Sequence, residues 1–236
     1  MSVPTDRNPR IIVAEIATRI MTEASRVRGA GFRPTLSKEQ IGELIHSINS
    51  HVQQLKYSYL SDEELFASET LTDIAVKAKK IFESYNGAYL QTDPTGKQRK
   101  LSVNEANVIW ASRLLIRLPE RMKEPFRPTI EAGIDMQVVG IRSIIPIEGT
   151  KLFVSKVYNG TEDFNVVTNL TTLKAGMKVG VAFLPAAIFG GEISEAMYLG
   201  DEEFPEDVKY GTPIFEGVDF AGVRNILKQE FMKKSK

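Results

Sequence analysis

Apolar positions recur with two different periods along the chain, and the change falls near a cluster of prolines. Behind Asn8-Pro9, a cap followed by proline at the first helical position, Ile12, Ile16, Ile20, Ala24 and Val27 recur at helical spacing until Gly29-Ala30-Gly31. Ser37 with Gln40 forms a capping box for a second helix striped by Ile41, Leu44, Ile45, Ile48, Val52, Leu55 and Tyr59. Ser61 with Glu64 predicts a third, carrying Leu65, Phe66, Ile74, Ala78, Ile81, Phe82 and Tyr85 and closed by Asn86-Gly87. After the turn signal Asp93-Pro94-Thr95-Gly96, Ser102 with Glu105 opens a fourth through Ile109, Trp110, Leu114 and Leu115, interrupted at Pro119. Four apolar stripes on capped helices predict a small helical bundle.

Pro119, Pro125 and Pro128 mark a linker of restricted conformation, and beyond it the period shortens to two. The runs 137–145, 151–157, 164–167, 178–184 and 193–199 are short, rich in β-branched residues and bounded by Gly, Pro or Asn. Asn159-Gly160 falls between the second and third, a strong hairpin signal. Five such strands in about seventy residues predict a small barrel. A closing helix over 219–234 carries Phe220, Val223, Leu227 and Phe231 on one face. The expected fold is therefore α+β: a helical domain over 1–128, then a five-stranded oligonucleotide-binding barrel with a closing helix over 129–236.

Charge changes this picture by region. Thirty Lys and Arg balance thirty Asp and Glu, which excludes a simple polycation that holds nucleic acid by bulk charge. Residues 1–128 carry 19 basic and 15 acidic residues, net +4, and residues 129–236 carry 11 and 15, net −4. Nine acids and the single base Lys209 lie between Glu192 and Asp219, a lip that repels phosphate unless it folds away from the sheet. The helical half offers better phosphate contacts. Lys97, Arg99 and Lys100 form a basic loop near Tyr89, Arg113 and Arg117 lie one turn apart with Arg121 extending them if Pro119 permits, and Arg26, Arg28 and Arg33 cluster after the first helix. Each cluster also reads as a solvated face, with Glu120 and Glu124 placed to pair Arg117 and Arg121.

The barrel segment, Ile134 to Gly200, resembles the tRNA-binding domain family, the oligonucleotide-binding barrel attached to many methionyl-tRNA synthetases. The matching pieces come in order. They are Ile134-Asp135-Met136-Gln137-Val138-Val139-Gly140, then Lys151-Leu152-Phe153-Val154-Ser155-Lys156-Val157 with Asn159-Gly160 at the turn. Val166-Val167, Leu173-Lys174-Ala175-Gly176-Met177-Lys178-Val179 and Ser194-Glu195-Ala196-Met197-Tyr198-Leu199 follow. Phe183-Leu184-Pro185-Ala186-Ala187 stands where the family carries an Asn-Leu-Lys-Pro-x-Lys run, so both lysines and the asparagine are absent. The overall plan, a helical half joined to such a barrel, is similar to a group of archaeal proteins of predicted RNA-binding role. The resemblance implies binding of tRNA or another structured RNA.

On such a barrel, bases stack on a curved sheet while lysines track phosphates. Lys151 and Lys156 lie five apart, so in a regular strand they face opposite ways unless a bulge intervenes. Ser194 is placed either to donate to a phosphate or base, or to close the turn at Gly190-Gly191. Met197 reads as core. The candidate RNA-binding residues are Lys151, Lys156, Ser194, Lys97, Arg99, Lys100, Arg113 and Arg117, with the helical half supplying most of the phosphate attraction.

No catalytic fingerprint is present, and the chain has no cysteine. His46 and His51 lie roughly 140° apart around one helix and do not converge on a metal. The acidic run Asp201–Asp207 lacks calcium-loop spacing and reads as a solvated loop. No apolar run approaches the roughly 20 residues a bilayer requires, and the polar N-terminus lacks a secretory h-region. The sequence thus predicts a cytoplasmic, non-catalytic RNA-binding protein without metal or cofactor and without membrane contact. An aminoacyl-tRNA synthetase is a possible partner and a homodimer a possible state. The rival reading is a protein-interaction scaffold with weak or no RNA binding.

Overall fold

The structure, a computed structural model, describes residues 8–27, 34–58, 60, 62–89 and 101–233, and all side chains there except those of 62–63 and 87–89. The chain forms two units, Met1–Gly133 with Glu230–Lys236, and Ile134–Gln229. Residues 129–133 thus cluster with the helices rather than with the barrel.

The helical unit is built around α1 (Pro9–Ser25), capped by the Asn8 side chain, which accepts from the Arg10 N–H at 3.0 Å. α1 is buried on nearly all sides because α2 (Lys38–Lys56) and α5 (Val103–Ile116) both pack on it. Both expected capping boxes form: Ser37 with Gln40 opens α2, and Ser102 with Glu105 opens α5. Glu15 of α1 is buried, and its carboxylate accepts from Gln53 Nε2 at 3.0 Å and pairs with Lys56 Nζ at 2.9 Å, tying α1 to α2.

The third expected helix is two helices, α3 (Asp62–Phe66) and α4 (Glu69–Tyr89). Ser68 makes the break: its hydroxyl accepts from the Thr70 N–H, as a serine does when it competes with the helix for backbone partners. Asn86-Gly87 does not end α4, which runs on to Tyr89. Pro119 sits in the first turn of α6 (Leu118–Met122), where its missing N–H costs nothing. Arg121 does not extend a surface stripe. It is 1% exposed, and its guanidinium donates to the Ala132 carbonyl in a 3-10 turn, Ile130–Gly133. Glu124 pairs with Arg10 at 3.6 Å and Arg127 at 3.9 Å rather than with Arg121.

The second unit is a five-stranded antiparallel sheet in the order β3-β2-β1-β4-β5, followed by α7 (Ala221–Met232). β1 (Met136–Pro146) is long enough to serve two partners. Residues 136–140 pair with β4 (Lys178–Phe189), and residues 140–146 pair with β2 (Phe153–Tyr158). β3 (Asp163–Thr168) and β5 (Glu192–Tyr198) are the ends of this order, and they meet, so the sheet curls into a barrel. Val139, Ile141, Val157, Phe164, Val166 and Val181 fill its interior, with the Phe164 and Phe183 rings 4.6 Å apart. The chain is thus α+β, as its two hydrophobic periods predict.

β4 extends five residues beyond the expected 184, through Pro185. A register shift between Phe183 and Ala187 accommodates the proline, which a regular ladder would reject. On α7, Val223 and Leu227 are buried as expected, whereas Phe231 is exposed.

Candidate nucleic-acid interface

Burial alternates along β2 and β3, so Val154, Lys156 and Tyr158 face outward beside Val167, Asn165 and Asp163 of β3. On the other side of β2, the register with β1 shifts between Ile141 and Ser143, which leaves Arg142 as the extra residue of a bulge. The bulge re-aims Arg142 onto this outer face. Its guanidinium carbon lies 4.0 Å from the centroid of the Tyr158 ring. Tyr158 in turn meets Tyr210 edge-on at 6.0 Å, and Lys178 Nζ stands 5.1 Å from the Tyr210 centroid. Cation, ring, ring and cation therefore form one row across the barrel.

Tyr210 reaches this position because the chain after β5 returns along the free side of β1. Gly211 donates to Val138 O at 2.8 Å, Val138 to Thr212 O at 2.9 Å, and Ile214 to Met136 O at 2.9 Å. Gly140 makes room for the ring, since a Cβ there would lie 2.9 Å from it. Gly211, at φ +80°, is where a side chain would also meet the Asn159 carbonyl at 2.7 Å. The acidic stretch is thus folded against the barrel rather than hanging free. Phe204 donates to Lys178 O at 2.8 Å, and Lys178 Nζ donates to the carbonyls of Glu206 and Val208.

Lys156 faces outward in mid-strand and pairs with Asp163 at 3.4 Å. Lys151 is exposed but lies in the bend before β2, so the two lysines do not share one strand and alternation does not set its direction. That bend belongs to the β1–β2 loop, whose Ile147 and Thr150 side chains pack beside Gly190 of the β4–β5 turn. Ile145, Ile188 and Phe189 are exposed at the ends of the strands that these two loops join.

Ser194 is inside the barrel and not at the surface. Its hydroxyl accepts from the Val167 N–H at 2.9 Å and donates to Ala196 O at 2.8 Å. The next residue, Glu195, accepts from the Asn165 N–H at 3.0 Å, so two adjacent side chains of β5 latch β3. Ser194 therefore serves barrel closure between β3 and β5, a longer-range contact than the Gly190-Gly191 turn. A second buried pair lies deeper. Ser155 Oγ bonds Val166 O at 2.8 Å and Tyr198 Oη at 2.6 Å, and burial pushes the Tyr198 phenol up from 10.0 to about 12, with the Ser155 bond acting the other way.

In the helical unit, Arg113 is half-buried with its guanidinium carbon 5.4 Å from the Phe82 centroid, and Arg117 is the C-cap of α5. Arg26 caps the end of α1. Lys97, Arg99 and Lys100, like Arg28 and Arg33, lie outside the described residues. His51 Nδ1 is 2.9 Å from Asp73, which also pairs with Lys77. In the second unit, Asp201, Glu202 and Asp219 line a cleft of about 550 Å³, with Thr172 donating to Asp201. Among the described residues no three His, Asp or Glu side chains gather as a metal site requires, and no helix is long and apolar enough to cross a membrane.

A five-stranded Greek-key barrel with these pairings is of the oligonucleotide-binding type, here joined to a helical bundle. The bundle carries the family. Residues 2–124 match the family described as "Alpha helical domain", and the chain belongs to it. The crystal structure of a MetRS related protein from Pyrococcus horikoshii is similar with a TM-score of 0.33 and 22% identity, covering 35% of this chain and 90% of that one. No curated protein matches the chain.

Proposed function

We infer that the protein is a non-catalytic RNA-binding protein whose barrel contacts RNA through the outer face of β1, β2 and β3. The carrying observation is the row Arg142–Tyr158–Tyr210–Lys178, with Lys156 beside it. Stacked rings and guanidinium planes hold bases, and the flanking cations hold phosphates. The resemblance of the same segment to the tRNA-binding family favours tRNA among structured RNAs. A synthetase partner follows from that resemblance.

Filter retention of unfractionated tRNA across a salt series tests the reading. Micromolar or tighter affinity that falls with salt, and that drops at least fivefold in Arg142→Gln, is the expected result. Absence of retention at low salt overturns it. The exposed Ile145, Ile188 and Phe189 favour a second reading, a protein-docking end of the barrel. A protein that co-purifies from the source cell and is retained after ribonuclease, with no RNA recovered, would decide for it.

A further inference from the structure

Two cations of the outer face converge on one carboxylate. Arg142 Nε lies 3.1 Å from Asp163 Oδ1 and its Nη1 donates to Oδ2 at 3.3 Å, while Lys156 Nζ lies 3.4 Å from the same Oδ2. Arg142 comes from the β1 bulge, Lys156 from the middle of β2 and Asp163 from the first position of β3, so three strands build the cluster. We propose that Arg142 and Lys156 form a phosphate-binding fork in which the Asp163 carboxylate occupies the place of a ligand phosphate.

The chemistry is that of like for like. A carboxylate and a phosphodiester each present two equivalent anionic oxygens with one negative charge, and a guanidinium fork accepts either in the same bidentate manner. Arg142 is held ready for the exchange, because its guanidinium carbon sits over the Tyr158 ring, 4.0 Å from the centroid, whichever anion it meets. An incoming anion reaches both cations without opening the fold: the Arg142 and Lys156 side chains are 52% and 54% exposed. The ion pairs that must yield join two exposed cations to a carboxylate that is 27% exposed, and pairs with a solvated partner hold weakly. Asp163 also stands at the edge of the 159–162 turn, where a rotation of its side chain frees the fork. The Asp163 charge therefore acts as a built-in competitor that restricts the face to ligands offering more than one phosphate contact.

That the physiological ligand is RNA rests on the reading above; the anion fork itself does not. The test uses the full chain, the isosteric Asp163→Asn and, as a second removal of the charge, Asp163→Ser. Inorganic pyrophosphate is titrated while the Arg142 Nε–Hε and the β1–β2 amide resonances are followed. Both variants should saturate at a concentration about three- to tenfold lower than the parent, the weight of one or two exposed ion pairs. In R142Q/D163N the gain should vanish. An unchanged or higher midpoint in both single variants, or a gain that survives in the double variant, overturns the proposal. A parallel titration with a single-stranded ribo-oligonucleotide should show D163N binding tighter, its log–log salt slope steeper by about 0.7 for one further phosphate. A pyrophosphate gain without oligonucleotide binding keeps the fork and overturns the RNA reading. Equal oligonucleotide binding by D163N and the parent, without a pyrophosphate gain, does the reverse.

Discussion

Replacing Ser194 by alanine separates a structural role from a binding role at a residue that the sequence offers either as an RNA contact or as a turn-closing hydroxyl. Ser194 is 5% exposed, and its hydroxyl joins two backbone groups, the Val167 N–H on β3 and the Ala196 carbonyl on β5. Alanine leaves both without it. A buried group stripped of its partner costs about 1–3 kcal/mol, and the Val167 N–H lies in a partly buried position, so the two together come to about 2 kcal/mol. Against a typical total of about 5–15 kcal/mol, that is a substantial share of the barrel's stability. A chain of two units does not have a single unfolding free energy, so the measurement must be local. Amide hydrogen exchange at Val167 and its β3 neighbours supplies it, and protection there should fall by about thirtyfold, the equivalent of about 2 kcal/mol. RNA affinity should stay within twofold while the barrel remains folded. Unchanged exchange at Val167 together with a tenfold loss of RNA affinity would refute the assignment and return Ser194 to the binding surface.

Two further outcomes test other parts of the structure. The raised phenol of Tyr198 makes barrel stability depend on alkaline pH: the unfolded chain loses this proton near pH 10 and the folded barrel only near 12. Its contribution is complete below pH 10 and is lost as pH rises to 12, by about 3 kcal/mol, so Tyr198→Phe should flatten that part of a urea-midpoint profile relative to the parent, and parallel profiles would contradict it. In the helical unit, Gly133→Ala would put a Cβ 2.3 Å from Val13 Cγ2 and 2.6 Å from the Pro9 carbonyl oxygen, so the start of α1 must move. A loss of roughly 3 kcal/mol is expected in the amide hydrogen-exchange protection of α1, and a change below 0.5 kcal/mol would show that the turn yields freely.

The features legible in the sequence are those whose causes lie within a few residues. The Ser37–Gln40 and Ser102–Glu105 boxes are local hydrogen-bond exchanges, and both form at the expected positions. Strand alternation is equally local, and it located all five strands. The features hidden from the sequence share a different cause. Arg121 continues a basic stripe on paper, yet a carbonyl eleven residues on draws it into the interior. Ser194 finds its partner on a strand that comes 27 residues earlier. Arg142 and Tyr210 carry no motif at all, and they enter the candidate site only because a bulge turns one outward and a returning segment lays the other over Gly140. A glycine in the middle of β1, where a strand prefers a side chain, was the one local sign that something packs there.

The arrangement of charge on the barrel also bounds how RNA must be held. Lys178 is engaged by the carbonyls of Glu206 and Val208, and Arg142 and Lys156 share Asp163, so every cation of the row already has a partner. The second half of the chain carries 11 basic and 15 acidic residues, so no excess positive field draws phosphate to it from a distance. Affinity through this face must then come from stacking on the Arg142 guanidinium that covers Tyr158 and from local exchange of one anion for another. Such binding releases few counterions. The log–log salt slope for a single-stranded probe should lie between about −1.4 and −2, corresponding to two or three phosphates. A slope near −5 would require a larger set of phosphate contacts than the barrel presents, and would assign them to the basic residues of the helical half, Arg113, Arg117, Lys97, Arg99 and Lys100. The slope thus decides which unit holds the phosphates, and Arg142→Gln would leave a steep one almost unchanged while abolishing most of a shallow one.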